Sequence, residues 1–122
     1  MNILICDDDL MILKTTEIKL KRDGYDVTTA SNGKIAQEYI ESNDYDLILL
    51  DLLMPFVNGL EIIELLKKKL NKTTPVIVLS SVGLEETVIR AFDLGADDYV
   101  VKPFSPNELS LRIKRLLIQK NK

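Results

Sequence analysis

A fivefold alternation of short apolar runs with amphipathic stretches constrains this chain more than any other feature. The apolar runs are "NILIC" (2–6), "DVTTA" (26–30), "DLILL" (46–50), "PVIVL" (75–79) and "DYVVK" (98–102). Each is short, rich in leucine or β-branched residues and bounded by turn formers, which predicts a strand. The stretches between them predict helices. The first runs from about Leu10 to Arg22 and stops at Gly24; the second starts after Ser31 or Asn32 and ends near Ser42. The third carries Leu60, Ile63, Leu66 and Leu70 at helical spacing, and the fourth, about Leu84 to Leu94, stops at Gly95. The last opens near Ser105-Pro106 and sets Leu109, Ile113, Leu116 and Leu117 on one side. Arg112, Lys114, Arg115 and Lys120 follow toward its end, where cations suit the helix dipole.

Strands that are apolar throughout need cover on both faces, which implies a parallel sheet between two helix layers. The fold class is therefore α/β, a doubly wound five-stranded parallel sheet of order 2-1-3-4-5, and 122 residues are expected to form one domain, 1–122. In that architecture a ligand site forms beyond the carboxyl ends of the strands, at the switch point near strands 1 and 3.

Composition narrows the chemistry. There is no histidine, so Ser-His, Cys-His and His-ligated zinc mechanisms are excluded, and carboxylates, hydroxyls and lysines must do the work. A net charge of -3 argues against nucleic acid or an anionic membrane surface as the main partner. The single cysteine, Cys6, sits in an apolar run and is expected to be a buried reduced thiol, as in a cytoplasmic protein. No apolar run approaches the ~20 residues of a membrane span, and no basic signal-peptide start is present.

The expected strand ends carry the polar chemistry. Strand 1 leads into Asp7-Asp8-Asp9, strand 3 into Asp51, strand 4 into Ser80-Ser81 and strand 5 into Lys102-Pro103. Asp51 stands inside "LILLDLLMP", where an unpaired charge would cost several kcal/mol if it were buried dry. Its place at a sheet edge, beside a cation, resolves that conflict. Several carboxylates at one edge cannot all stay ionised without a cation, and an all-oxygen ligand set that leaves room for water and phosphate favours Mg²⁺. Each signal has a plainer reading. The acids at 7–9 could cap the first helix, Ser80 and Ser81 could cap the fourth, and Lys102-Pro103 could be a turn. Their joint position on one edge favours a site.

The motifs "ILICDDD", "LILLDLLMP", "VIVLSS" and "GADDYVVKPF", in this order, resemble the receiver domain of two-component response regulators over essentially the whole chain. The last, with "SPNELSLRI", is most similar to receivers of winged-helix transcription factors. The resemblance implies the flavodoxin-like (βα)5 fold and a phosphoacceptor role for Asp51. It further implies Mg²⁺ held by Asp7, Asp8, Asp51 and the Leu53 carbonyl, and Lys102 on the phosphoryl oxygens with a cis bond to Pro103. Ser80 and Tyr99 would form the switch, and Asp9 a cap or surface charge. The phosphoryl donor would be a sensor histidine kinase or a phosphotransfer protein, with Leu10, Met11, Pro103 and Phe104 as an apolar docking collar; core packing is the other reading of these residues. Ile12 is expected to point inward with Thr16 and Leu20. The domain would catalyse its own modification and turn over no outside substrate.

Two departures bear on behaviour. Leu53 and Val82 stand where relatives orient a hydrolytic water, so the aspartyl phosphate should be long-lived. On the output face of helix 4, strand 5 and helix 5, Asp98 and Arg112 match one intersubunit ion pair. Glu108 matches half of another, whose partner position holds Val88, and Leu111 replaces a small residue. Weak dimerisation through a more apolar face, or a different partner, is expected. Either an effector domain follows in the native protein or the receiver stands alone. The competing functions are a dehalogenase-type phosphohydrolase, a nucleotide-binding α/β module and a phosphorylation-independent interaction module. The first lacks its second Asp, at Leu53; the second lacks a glycine-rich loop after strand 1. The intact Asp8, Asp51, Ser80 and Lys102 argue against the third.

Overall fold

A computed structural model describes residues 1–120. The Lys120 side chain and residues 121–122, counted above with the last helix and the domain, lie outside the described part. Five βα units follow one another: β1 (Asn2–Cys6), α1 (Leu10–Arg22), β2 (Asp26–Ala30), α2 (Gly33–Ser42), β3 (Leu47–Asp51), α3 (Gly59–Glu64), β4 (Val76–Ser80), α4 (Glu85–Leu94), β5 (Asp98–Val101) and α5 (Pro106–Lys120). The strands form one parallel sheet in the order β2-β1-β3-β4-β5.

Strand alternation divides the core in two. Ile3, Ile5, Leu47, Leu49, Ile77, Leu79 and Val100 pack with Leu13, Leu20, Leu109 and Ile113 of α1 and α5. Leu4, Cys6, Ile48, Leu50, Val76 and Val78 pack with Ala36, Ile62, Val88 and Ala91 of α2, α3 and α4. Both faces of the central strands are therefore dry, which is why their sequences are apolar at every position before the carboxyl end. Cys6 is buried in the second cluster, and burial, then the neighbouring Asp7 charge, pushes its thiol pKa well up, leaving it protonated.

Three features differ from the sequence reading. β3 and β4 each start and end one residue later, so Asp51 and Ser80 belong to the strands themselves. On α1 the inward residues are Leu13, Thr16 and Leu20, and Ile12 is half-buried. Leu13 shares the Thr16–Leu20 stripe at i, i+3 and i+7, so packing selects it over its neighbour. After Glu64 the third helix widens into a π-helical turn, Leu65–Lys69, closed by the Leu70 amide on the Leu65 carbonyl at 2.8 Å. That turn brings the Lys67 ammonium to 2.6 Å from the Thr74 carbonyl, which ties α3 to the start of β4.

The helix ends follow their local chemistry. Asp9 caps α1 by accepting from the Met11 and Ile12 amides, while Asn32 and Asn58 cap α2 and α3. Gly95 ends α4 at φ 118, a conformation that disfavours a side chain. Ser80 and Ser81 do not cap α4, whose N-cap is Leu84 with no side-chain bond.

Candidate functional site

Period 2 holds to the last strand residue and just past it. Asp7, Asp51 and Lys102 each lie two residues beyond Ile5, Leu49 and Val100, so all three emerge on the α1–α5 side of the sheet. Register brings them level. Cys6 pairs with Leu50, so Asp7 follows beside Asp51, and the Lys102 amide donates to the Ser80 carbonyl at 2.7 Å. The Lys102–Pro103 peptide is cis, as expected.

The acids are more buried than a sheet-edge position suggests: Asp7 is 0% exposed and Asp51 is 6% exposed. Asp8 is exposed, and carboxylate oxygens of Asp7, Asp8 and Asp51 lie within 4.8 Å of one another. Asp7 accepts the Asp9 amide at 2.9 Å, and Asp51 accepts the Leu53 amide at 3.2 Å. The Lys102 ammonium bridges them, 2.8 Å from Asp7 Oδ2 and 3.4 Å from Asp51 Oδ2. The contact to Asp7 Oδ2 is one of charge, since that buried oxygen has no aligned hydrogen-bond donor.

Charge does not balance here: three acids cluster, and the one ammonium beside them pairs with Asp7 and Asp51. Burial, then repulsion from Asp7, raises the Asp51 pKa to about 6, with Lys102 opposing. Burial works against the Lys102 charge, but Asp7 and Asp51 outweigh it and its pKa is raised. An all-oxygen cluster with surplus negative charge fits a hard divalent cation. The backbone is pressed tightly beneath it. A Cβ on Gly59 would lie 2.7 Å from the Asp51 carbonyl oxygen, so only glycine fits as α3 starts.

The family model for the response regulator receiver domain matches residues 3–114. The chain belongs to this family. Transcriptional regulatory protein SrrA of Staphylococcus aureus is 43% identical over 115 residues, which is 94% of this chain and 47% of that protein. The receiver thus spans about half the length of the curated relatives it matches. The Francisella response regulator 1452 receiver domain superposes with a TM-score of 0.89 at 37% identity, covering 98% of each chain. A CheY-like receiver domain protein from Methanospirillum hungatei reaches a TM-score of 0.93 at 32% identity, covering 98% of this receiver and 95% of that chain.

The remaining expected positions separate into groups. Ser80 is buried at the end of β4, and Tyr99 is half-exposed on β5. Leu10, Met11, Leu53, Val82 and Leu111 are exposed, as a rim or surface role requires. Val88 is not: it is 6% exposed and packs with Ala91 beneath α4, so Ile89 and Phe92 present the apolar surface instead. Asp98 is buried and already paired within the chain, at 2.9 Å from Arg112 and 3.3 Å from Arg115, while Arg112 also meets Glu108 at 3.1 Å. Sequence reasoning missed Arg115 as a partner of Asp98, and Phe92, whose ring meets Tyr99 edge to face at 5.9 Å. The seven-residue offset of Phe92 and Tyr99 crosses a helix end and a turn, so no periodicity announces it.

Proposed function

We propose that this receiver accepts a phosphoryl group onto Asp51 from a phosphohistidine of a sensor kinase or phosphotransfer protein. The convergence of Asp7, Asp8 and Asp51 around the Lys102 ammonium carries this reading. An Asp51 carboxylate oxygen attacks phosphorus in line. The new P–O bond gives an acyl phosphate, and the P–N bond breaks with its electron pair going to the imidazole nitrogen of the donor. Lys102 offsets charge on the transferring oxygens from a site where burial strengthens the attraction.

Asp7, Asp8, Asp51 and the Leu53 carbonyl are the residues that would hold Mg²⁺. When bound, the ion supplies positive charge against the phosphoryl oxygens. Asp9 stays with its helix cap. Leu53 and Val82 expose apolar side chains and offer an attacking water no hydrogen bond, which supports slow hydrolysis of the acyl phosphate.

Ser80 is assigned to donate to the phosphoryl group and Tyr99 to turn inward in response, changing the α4–β5–α5 face. That face would act on an effector domain, in keeping with the transcriptional regulators among the relatives. Weak self-association would rest on exposed Ile89 and Leu111 rather than on Val88. Asp98 and Arg112 would have to exchange internal partners to join it.

Intact mass after incubation with Mg²⁺ and acetyl phosphate, beside D51N, tests the reading. One phosphoryl group should appear, vanish on chelation before labelling, be absent in D51N and persist for well over minutes after donor removal. No gain with several donors would overturn phosphoacceptance, and loss within seconds would overturn slow hydrolysis.

A further inference from the structure

Tyr99 alternates with Asp98 and Val100, and Val100 faces α5, so the Tyr99 ring leaves β5 on the α4 side. There its edge-to-face partner is Phe92, with the rings 85° apart. Both are part-exposed, Tyr99 at 41% and Phe92 at 40%. A groove of about 400 Å³ opens beside them, lined by Ser80, Val82, Val88, Phe92, Tyr99 and Val101. The tyrosine ring therefore has room on the Ser80 side and an aromatic contact on the α4 side. Among the described residues that line this groove, Glu85 alone is charged.

We infer that Phe92 is a positioning residue that holds Tyr99 outward and thereby sets how readily Asp51 is phosphorylated. This rests on the proposed function, in which phosphorylation draws Tyr99 inward. A contact made in only one of two states biases the equilibrium by its differential free energy, and the bias is felt reciprocally at the other site. Aromatic pairs of this kind are worth enough to shift such a ratio about two- to tenfold. Removing the ring should raise the inward population, and with it the rate of phosphoryl uptake at limiting donor, by that factor.

The test uses the protein labelled with fluorotyrosine, which gives one fluorine resonance for each of the four tyrosines. Y99F assigns the Tyr99 signal, and its solvent isotope shift between H₂O and D₂O reports ring exposure. Simple loss of a neighbour in F92A would expose Tyr99 further and enlarge the shift. The positioning role requires the opposite: a smaller shift in resting F92A, approaching that of phosphorylated wild type, with uptake from acetyl phosphate two- to tenfold faster. Unlabelled F92Y, which keeps the ring, should take up phosphoryl groups from acetyl phosphate at the wild-type rate. An isotope shift in F92A equal to or larger than wild type overturns the inference, as does unchanged uptake beside a smaller shift. If wild type takes up no phosphoryl group the proposed function fails, and the resting spectra alone then decide whether Phe92 holds Tyr99.

Discussion

Two carboxylate clusters in this receiver invert each other's arithmetic. At the ends of β1 and β3, three acids cluster where one ammonium pairs with only two of them, and a buried oxygen of Asp7 lacks an aligned donor. At β5 and α5, Asp98 alone receives two guanidiniums and the Tyr99 amide, and Glu108 takes up what remains of Arg112. The Asp98–Arg112 contact, with Asp98 its leading cause, raises the Arg112 pKa. The second cluster is complete within the chain and needs nothing further. The first holds negative charge in reserve, which costs stability in the free protein and becomes favourable when positive charge arrives.

The contrast can be broken from either side. Lys102→Met leaves the buried acids without a cation and should cost roughly 3 kcal/mol in metal-free protein. Millimolar Mg²⁺ should restore much of that, because a ligand of the folded state alone stabilises it by mass action. Urea denaturation with and without chelator reads both, and a loss insensitive to Mg²⁺ would count against a cation site. Asp98→Ala should cost less, about 1–2 kcal/mol, because Arg112 is part-exposed and Arg115 mostly so, and both can be solvated when it is gone. Mg²⁺ should leave that cost unchanged in the same titration.

Asp51→Asn should do the reverse and stabilise the metal-free protein at neutral pH, by roughly 1 kcal/mol. The sign follows from the raised pKa. Between the ordinary value of 3.8 and about 6 the folded protein holds a proton that the unfolded chain has released. Stability contributed by this group therefore falls as pH rises through that window. The gain in D51N should be full above pH 6 and vanish toward pH 4, as thermal melts across pH would record. The smallest effect belongs to Ser110, whose hydroxyl donates to Asp23 at 2.6 Å and is the main cause of that carboxylate's lowered pKa. Its contribution is present above the unfolded pKa and lost as pH falls through the folded one. S110A should cost at most about 0.5 kcal/mol near neutrality, and less in acid.

Legibility in the sequence varied with how local the cause was. The strands, the Asp9 cap and the glycine that ends α4 were readable because alternation, capping and chain reversal act within a few residues. Ile12 and Val88 were misplaced because neighbouring apolar residues on a helix compete for the core, and the winner depends on how the whole helix is rotated against the sheet. Leu13 won on α1, and Val88 turned inward on α4 while Ile89 stayed out. The expectation that Asp51 escapes burial by standing at an edge was half right. It does stand at the carboxyl end, but packing encloses it together with Asp7.

By itself the sequence determined the order of the elements and which charged groups close each strand, since both follow from short-range pattern. Only the tertiary structure decided that Lys102, near the far end of the chain, lies between Asp7 and Asp51. It also decided that Asp98 is satisfied from α5 and that Phe92 meets Tyr99. Those outcomes depend on strand order, register and helix rotation, which are set by how two apolar layers close over one sheet. Burial then fixes the local dielectric, and with it how strongly each of these charges is felt.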